Sequence, residues 1–307
     1  MPPSIAASIS RQELDAQLSP SRSAKDASGV MQAWGTQSEQ ARRSPGIRTF
    51  LDVGYGPAAG QKLDVYTGSQ EEGGLCPIFV FIHGGFWQQG SKDSSAFPAP
   101  AFVVANWIYI AVGYTLAPDA TLTSIVEEIR SALRFIRLHA REYGGDPDRI
   151  IVAGHSAGGH LAAGLLSGDT GREHAAPCAG IVAISGVFDL APIRASYVND
   201  AVRMTQDEVA ALSPVLRAPA YDVPVVLAVG SDETREFIRQ TDILARAWKP
   251  HLTALRVATI PGKDHFDIVL GLADPSSRLF RLVMGIAGNA PGAMKMGGGA
   301  SPSLYDC

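Results

Sequence analysis

A serine flanked by glycines is the residue in this chain best suited to nucleophilic chemistry. It lies in the motif GHSAG (154–158), between the apolar run DRIIVAG (148–154) and a helical pattern. A serine on a sharp strand-to-helix turn has a strained backbone, and bulky neighbours would collide with the flanking elements. Gly154 and Gly158 avoid those collisions, and the N-terminus of the following helix favours developing negative charge. The spacing therefore predicts that Ser156 is a nucleophile.

A second glycine-containing loop, HGGFW (83–87), follows the apolar run PIFVFI (77–82). Glycines in such a loop let the main chain approach a substrate closely, so that backbone N–H groups can bind the oxyanion of a tetrahedral intermediate. We expect the N–H groups of Gly85, Phe86 and Ala157 to be these donors. Without the serine motif, a Gly-Gly pair would indicate only a turn.

A serine nucleophile needs an imidazole to accept its proton and an acid to orient that imidazole. His265 is the best-placed histidine, because it follows the last predicted strand in the loop PGKDHF (261–266). The acid is expected after the strand VVLAVG (225–230), where Asp232 and Glu233 both stand. From spacing alone, either carboxylate could serve.

Aromatic residues adjoin both catalytic loops. Phe86 and Trp87 stand in the glycine loop, and Phe266 directly follows the candidate base. We expect these three side chains to line an aromatic substrate pocket, and the alternative for each is packing in the core.

The elements that must position these residues alternate between strands and helices. Apolar runs indicate buried strands and a 3.6-residue period indicates helices. The predicted strands are 61–68, 77–85, 107–114, 148–154, 179–186, 223–230 and 252–260, and the predicted helices are 121–143, 155–168, 233–248 and 276–286. This alternation predicts an α/β fold with a mostly parallel central sheet and helices on both faces. Functional groups of such sheets gather at the carboxyl ends of the strands.

One domain, over residues 31–287, is the simplest organisation. Residues 1–30 are polar and predict a flexible N-terminal arm with one helix around Arg11–Leu18, and the Gly-rich residues 288–307 predict a flexible tail. Residues 186–222 separate two strands and predict a short cap. Asp189 follows the wrong strand for the triad acid and is expected to fix that cap.

Composition excludes several classes of protein. The chain has 307 residues, of which 46% are hydrophobic and 18% charged, so it can bury a sizeable core. A net charge of -4 lacks the electrostatic footprint of a nucleic-acid binder and the basic belt of a membrane-surface protein. The three cysteines are widely spaced, which argues against a disulfide framework and a cysteine metal site.

The N-terminal sequence has no basic start followed by an apolar stretch, and no apolar run reaches the roughly 20 residues that span a bilayer. We therefore expect a cytoplasmic protein that binds no membrane and needs no metal or organic cofactor. Its expected partner is a small amide or ester substrate. The sequence does not give the oligomeric state, and a homodimer is one of the assemblies it allows.

Taken together, these motifs resemble the α/β-hydrolase superfamily and, within it, the kynurenine formamidase (arylformamidase) group. The resemblance spreads over residues 50–275 and is carried by LDVYTG (63–68), HGGFWQQGSKD (83–93), VGYTLAPDATL (112–122), GHSAGGHLAA (154–163), VGSDETREFIRQ (229–240) and GKDHFDIV (262–269). Phe86 stands where lipase-like esterases of the HGGG type have a third glycine. That departure moves the resemblance towards formamidases.

The resemblance implies the order serine, acid, histidine along the chain, with the acid third after the glycine that ends its strand. It therefore favours Glu233 over Asp232 and gives the triad Ser156, Glu233 and His265. The implied activity is hydrolysis of an amide or ester through an acyl-enzyme, on N-formylkynurenine or a related aryl formamide. A carboxylesterase or another amidase is the alternative, because esters and amides share every catalytic part. An inactive relative that serves as a receptor would have lost a triad residue, and here all three positions are filled.

Overall fold

The computed structural model describes residues 9–69, 74–167 and 176–287. Within these ranges eight strands form one sheet in the order β1-β2-β4-β3-β5-β6-β7-β8. The strands are β1 Arg48–Gly54, β2 Lys62–Thr67, β3 Cys76–Ile82, β4 Ile108–Val112, β5 Gly145–His155, β6 Gly180–Ile184, β7 Val225–Gly230 and β8 Leu255–Ile260. The pairs β1·β2 and β2·β4 are antiparallel, and all others are parallel. The predicted mostly parallel sheet is therefore confirmed.

Helices cover both faces of this sheet. They are α1 Arg11–Gln17, α2 Ala27–Arg42, α3 Ala99–Val104, α4 Leu122–His139, α5 Ala157–Gly164, α6 Leu190–Ala195, α7 Asn199–Val202, α8 Gln206–Leu212, α9 Arg235–Trp248 and α10 Arg278–Ala287. Buried side chains of α4, α5 and α9 belong to the core layer on one face, and those of α3 and α10 to the layer on the other.

Strand β3 shows why the sequence produces this architecture. Ile78, Val80 and Ile82 lie in one core layer, whereas Phe79 and Phe81 lie in the other. A parallel strand covered on both faces must be apolar at every position, because successive side chains point to opposite sides. The continuous apolar runs of the sequence therefore become the central strands, and their carboxyl ends share one edge.

The segment 186–222 forms three short helices, α6 to α8, between β6 and β7. Asp189 caps α6, because its carboxylate accepts the Ala191 N–H at 3.2 Å. The same carboxylate binds Arg239 of α9 at 3.0 Å. Asp189 thus fixes the cap to the helix that follows the acid loop, as expected.

The N-terminal segment (residues 9–42) differs from the flexible arm expected over residues 1–30. Helix α1 begins with a capping box between Ser10 and Glu13, and Leu14 and Leu18 are buried in the main core. The predicted helix is present, but the segment around it packs on the domain. The polar composition of residues 1–30 did not predict this packing, because the two buried leucines that anchor the short helix are a small part of the segment.

Residues 1–8 and the predicted tail 288–307 lie outside the described residues. In the described ranges, none of the helices combines the length and the apolar character that a membrane crossing requires.

Candidate active site

Ser156 stands between β5 and α5 with φ 55° and ψ −117°. A Cβ atom added to Gly154 would lie 2.0 Å from the Gly158 carbonyl oxygen, and one added to Gly158 would lie 2.1 Å from that of Ile82. Real atoms do not approach so closely, so both positions require glycine. The positive φ of Ser156 is a backbone strain that costs about 1–3 kcal/mol and persists only where the surroundings impose it. Here β5 and α5 hold the serine at the carboxyl edge of the sheet.

The candidate base and acid are in direct contact. His265 donates its Nδ1–H to Glu233 Oε2 at 2.8 Å. The other oxygen, Oε1, accepts hydrogen bonds from Ser185 Oγ at 2.5 Å and from the Gly230 N–H at 2.7 Å. A buried carboxylate needs such donors to offset its lost hydration. A proton on Nδ1 leaves Nε2 of the imidazole free to accept another.

The neighbouring carboxylate, Asp232, points away from this pair. Its Oδ2 binds Lys25 Nζ at 2.9 Å, and its side chain is 37% exposed. The hydrogen bond from Lys25 holds the pKa of Asp232 below its usual range. The structure therefore brings Glu233, and not Asp232, to His265.

Asp264, directly before the base, holds the base loop in shape. It accepts N–H groups from Phe266 at 2.9 Å, Asp267 at 3.1 Å and Lys25 at 3.2 Å. Burial raises the pKa of Asp264, but these N–H donors more than offset that effect and lower it. The position of His265 is thus tied to the N-terminal segment through Asp264.

The glycine loop presents its backbone to the serine. A Cβ atom on Gly84 would lie 2.8 Å from the His155 carbonyl oxygen, which is too close for a real side chain. The glycine therefore lets the loop pack directly against the backbone beside Ser156. Gly85 has φ 107° and Phe86 has φ 48°. The N–H groups of Gly85, Phe86 and Ala157 have no acceptor among the described residues. These N–H groups can therefore donate to an oxyanion, and the oxyanion hole stays a prediction.

Two neighbouring histidines are structural. His155 Nε2 donates to the His265 carbonyl at 2.8 Å, and His83 Nδ1 donates to that of Gly84 at 2.8 Å. Burial lowers the pKa of His83 to about 4. Burial, together with repulsion from His265, holds the pKa of His155 well below its usual value. Both rings are therefore neutral at pH 7 and fix the loops around the serine.

A cavity of about 440 Å³ opens over Ser156 and His265. Phe86 and Phe266 line it, as expected, but Trp87 does not. The Trp87 ring is fully buried and packs edge-on against His160 with 5.0 Å between ring centroids. The prediction that Trp87 lines the pocket is wrong, because its large apolar surface is buried in the core beneath the loop.

Several cavity residues come from elements whose contribution the sequence did not reveal. Met31 and Trp34 belong to α2, and Tyr197 precedes α7. A signal for α2 exists, since Asp26 caps it by accepting the Gly29 N–H at 2.9 Å. The glycines, serines and threonine within α2 obscure its periodicity.

A mostly parallel sheet with helices on both faces, a serine on the strained turn after β5, and an acid–histidine pair after β7 and β8 define an α/β-hydrolase. The BD-FAE family model matches residues 63–247 of this chain. The chain therefore belongs to the BD-FAE family and is a hydrolase of this fold.

Two relatives of known sequence and one solved structure show which hydrolases this chain is similar to. The chain is 32% identical to the kynurenine formamidase of Danio rerio over 296 residues, which are 92% of this chain and 98% of that protein. It is 31% identical to esterase LipQ of Mycobacterium tuberculosis over 185 residues, 51% of this chain and 42% of that protein. A solved structure of a candidate thioesterase from Silicibacter sp. TM1040 superposes with a TM-score of 0.79 and 30% identity, over 89% of this chain and 99% of that one.

Proposed function

We propose that this hydrolase cleaves aryl formamides through an acyl-enzyme on Ser156. The 2.8 Å hydrogen bond between His265 and Glu233 is the observation that carries this proposal. It sets the imidazole tautomer that can take a proton, and it does so beside a cavity that contains both His265 and the serine. The full-length similarity to a kynurenine formamidase supports the formamide as substrate.

The first half of the reaction forms the acyl-enzyme. Ser156 Oγ attacks the carbonyl carbon while its proton moves to His265 Nε2, and Glu233 stabilises the resulting imidazolium. The N–H groups of Gly85, Phe86 and Ala157 bind the oxyanion, and each such donor is worth about 3–4 kcal/mol of barrier. When the C–N bond breaks, His265 returns the proton to the departing arylamine.

The second half repeats the chemistry with water. Water loses a proton to His265 and attacks the formyl ester on Ser156. Collapse of this second intermediate breaks the ester bond, releases formate and returns the proton to the serine. An ester substrate would follow the same path with an alcohol as leaving group.

Esterase activity is the second candidate function, favoured by the similarity to esterase LipQ. The test compares kcat/KM for a set of aryl formamides that includes N-formyl-L-kynurenine with kcat/KM for p-nitrophenyl acetate. The formamidase proposal expects formamide turnover that Ser156→Ala abolishes. Ester turnover alone would support the esterase, and failure of Ser156 to react with a fluorophosphonate probe would overturn both.

A further inference from the structure

The cavity has a polar base and apolar walls. Ser156, His265 and the glycine loop provide the polar groups beside the scissile bond. The apolar side chains around them include Met31, Trp34, Phe86, Phe97, Phe266 and Val269. Neutral polar side chains, which include Ser21, Gln89 and Tyr197, also line the cavity. Such a lining binds a substrate through ring and alkyl contacts and through hydrogen bonds to uncharged groups.

Aromatic rings form one continuous wall. Trp34 stacks on Phe97 with 6.3 Å between centroids and an angle of 9° between planes. Its centroid is also 6.0 Å from that of Phe266. Aromatic side chains at such spacings offer flat surfaces for a further ring. Trp34 Nε1 is buried and has no hydrogen-bond partner among the described residues.

This wall is fixed in place. Ser38, one turn beyond Trp34, accepts the N–H groups of Ala96 and Phe97 at 3.0 Å each. Helix α2 is thereby joined to the loop that carries Phe97. The N-terminal segment is therefore a fixed side of the cavity.

Side-chain charge is missing from this surface. Among the described lining residues there is no Lys, Arg, Asp or Glu. The Glu233 carboxylate is held by His265. Asp232 and Asp264 bind Lys25, through its Nζ and its backbone N–H respectively, and none of these three residues lines the cavity. His83 and His155 also line the cavity, and burial keeps them neutral through lowered pKa values. A charged substituent would lose hydration there without gaining an oppositely charged partner.

We infer that this site selects an uncharged aromatic leaving group and disfavours a zwitterionic amino-acid substrate, with Trp34 as a specificity-determining residue. This inference takes from the proposed function only the type of reaction, which is hydrolysis through an acyl-enzyme on Ser156. It therefore separates this chain from a dedicated N-formyl-L-kynurenine hydrolase, because that substrate carries an ammonium and a carboxylate group.

Two matched substrate pairs test the charge preference. The formamide pair is 2′-formamidoacetophenone and N-formyl-L-kynurenine, and the ester pair is phenyl acetate and 4-acetoxybenzoate. In whichever pair is hydrolysed, the neutral member should have a kcat/KM about tenfold higher or more. Equal or higher kcat/KM for the charged member overturns the inference, as does failure to hydrolyse either neutral compound. A normal ester ratio without any formamide turnover would overturn only the formamidase proposal.

Two variants test the walls themselves. Met31 is 43% exposed at the cavity, so Met31→Lys adds a cation there, with Met31→Gln as the matched uncharged control. Relative to that control, Met31→Lys should raise the ratio of 4-acetoxybenzoate to phenyl acetate turnover about fivefold. Trp34→Ala should lower kcat/KM for phenyl acetate more than for ethyl acetate, and Trp34→Phe should restore most of the difference. If Met31→Lys leaves the ratio of 4-acetoxybenzoate to phenyl acetate turnover unchanged and Trp34→Ala leaves the ratio of phenyl acetate to ethyl acetate turnover unchanged, these residues do not form the substrate-binding walls.

Discussion

Replacing Glu233 with glutamine tests the acid assignment, because the carboxylate accepts hydrogen bonds on both oxygens. Oε2 accepts from His265, and Oε1 accepts from Ser185 and from the Gly230 N–H. Glutamine has one acceptor oxygen and one NH₂ donor. If the NH₂ faces Gly230, two donors meet. If it faces His265, the imidazole must accept on Nδ1 and carry its proton on Nε2, where it can no longer take the proton of Ser156.

We expect Glu233→Gln to lower kcat by about 10⁴-fold, the effect of forcing the wrong tautomer in a serine triad. That factor corresponds to about 5 kcal/mol of barrier. Asp232→Asn is the matched control, since it changes the adjacent carboxylate in the same way. Because Asp232 faces solvent and its carboxylate binds Lys25 and Ser231 within the described part of the chain, its variant should retain kcat within about twofold.

The assay is kcat and kcat/KM for phenyl acetate, with circular dichroism to show that both variants are folded. Glu233→Gln should also react with a fluorophosphonate probe far more slowly than the wild type does, because the same proton transfer activates Ser156. A folded Glu233→Gln enzyme with more than about a tenth of wild-type kcat would refute the acid assignment. So would a larger loss in Asp232→Asn.

Three further variants test the turn, the carboxylate and a buried histidine. Gly158→Ala places a Cβ atom 2.1 Å from the Ile82 carbonyl oxygen, and we expect it to lower the free energy of unfolding by about 4 kcal/mol or more; an unchanged urea midpoint would contradict this. Ser185→Ala removes one of three donors to Glu233 and should lower kcat about tenfold with little change in KM; wild-type kcat would show that the hydroxyl has no positioning role. Burial lowers the pKa of His160 to about 4. Between pH 6.5 and 4 the unfolded chain therefore binds a proton that the folded chain does not, so the free energy of unfolding decreases as the pH is lowered. His160→Gln should remove about 2.4 kcal/mol of the loss in unfolding free energy between pH 7 and 4.5, and equal losses in urea titrations of both proteins would argue against it.

The sequence predicts the sheet and the reactive residues for one physical reason. Central parallel strands are buried on both faces, so β3, the second half of β5 and β7 are continuous apolar runs that stand out from the rest of the chain. The serine and the acid each follow such a run, whereas the histidine follows the partly exposed edge strand β8. Choosing between Asp232 and Glu233 needs more than spacing, because the loop after β7 turns one carboxylate inward to Gly230 and the other outward to Lys25.

Other features depend on contacts between distant parts of the chain. Trp87 and Phe86 are adjacent in sequence, yet only Phe86 lines the cavity. Strand β1 and helix α2 have mixed sequences, and their positions are set by partners elsewhere in the fold, such as the loop of Phe97 for Ser38. Local periodicity carries no information about such pairing, so the wall formed by Trp34 emerges only in three dimensions.

The packing of the N-terminal segment has a consequence for how the chain is made. Gln17 accepts a hydrogen bond from Thr234 across 217 residues, and the N–H of Lys25 reaches Asp264 across 239 residues. On the ribosome, the first helices therefore emerge long before the loops that they contact. Contacts between such distant residues close last and slow folding. A nascent chain that ends before α9 lacks the helix against which α1 packs, and one that ends before Asp264 lacks the acceptor of the Lys25 N–H. Docking of the N-terminal segment is therefore completed only together with the catalytic edge.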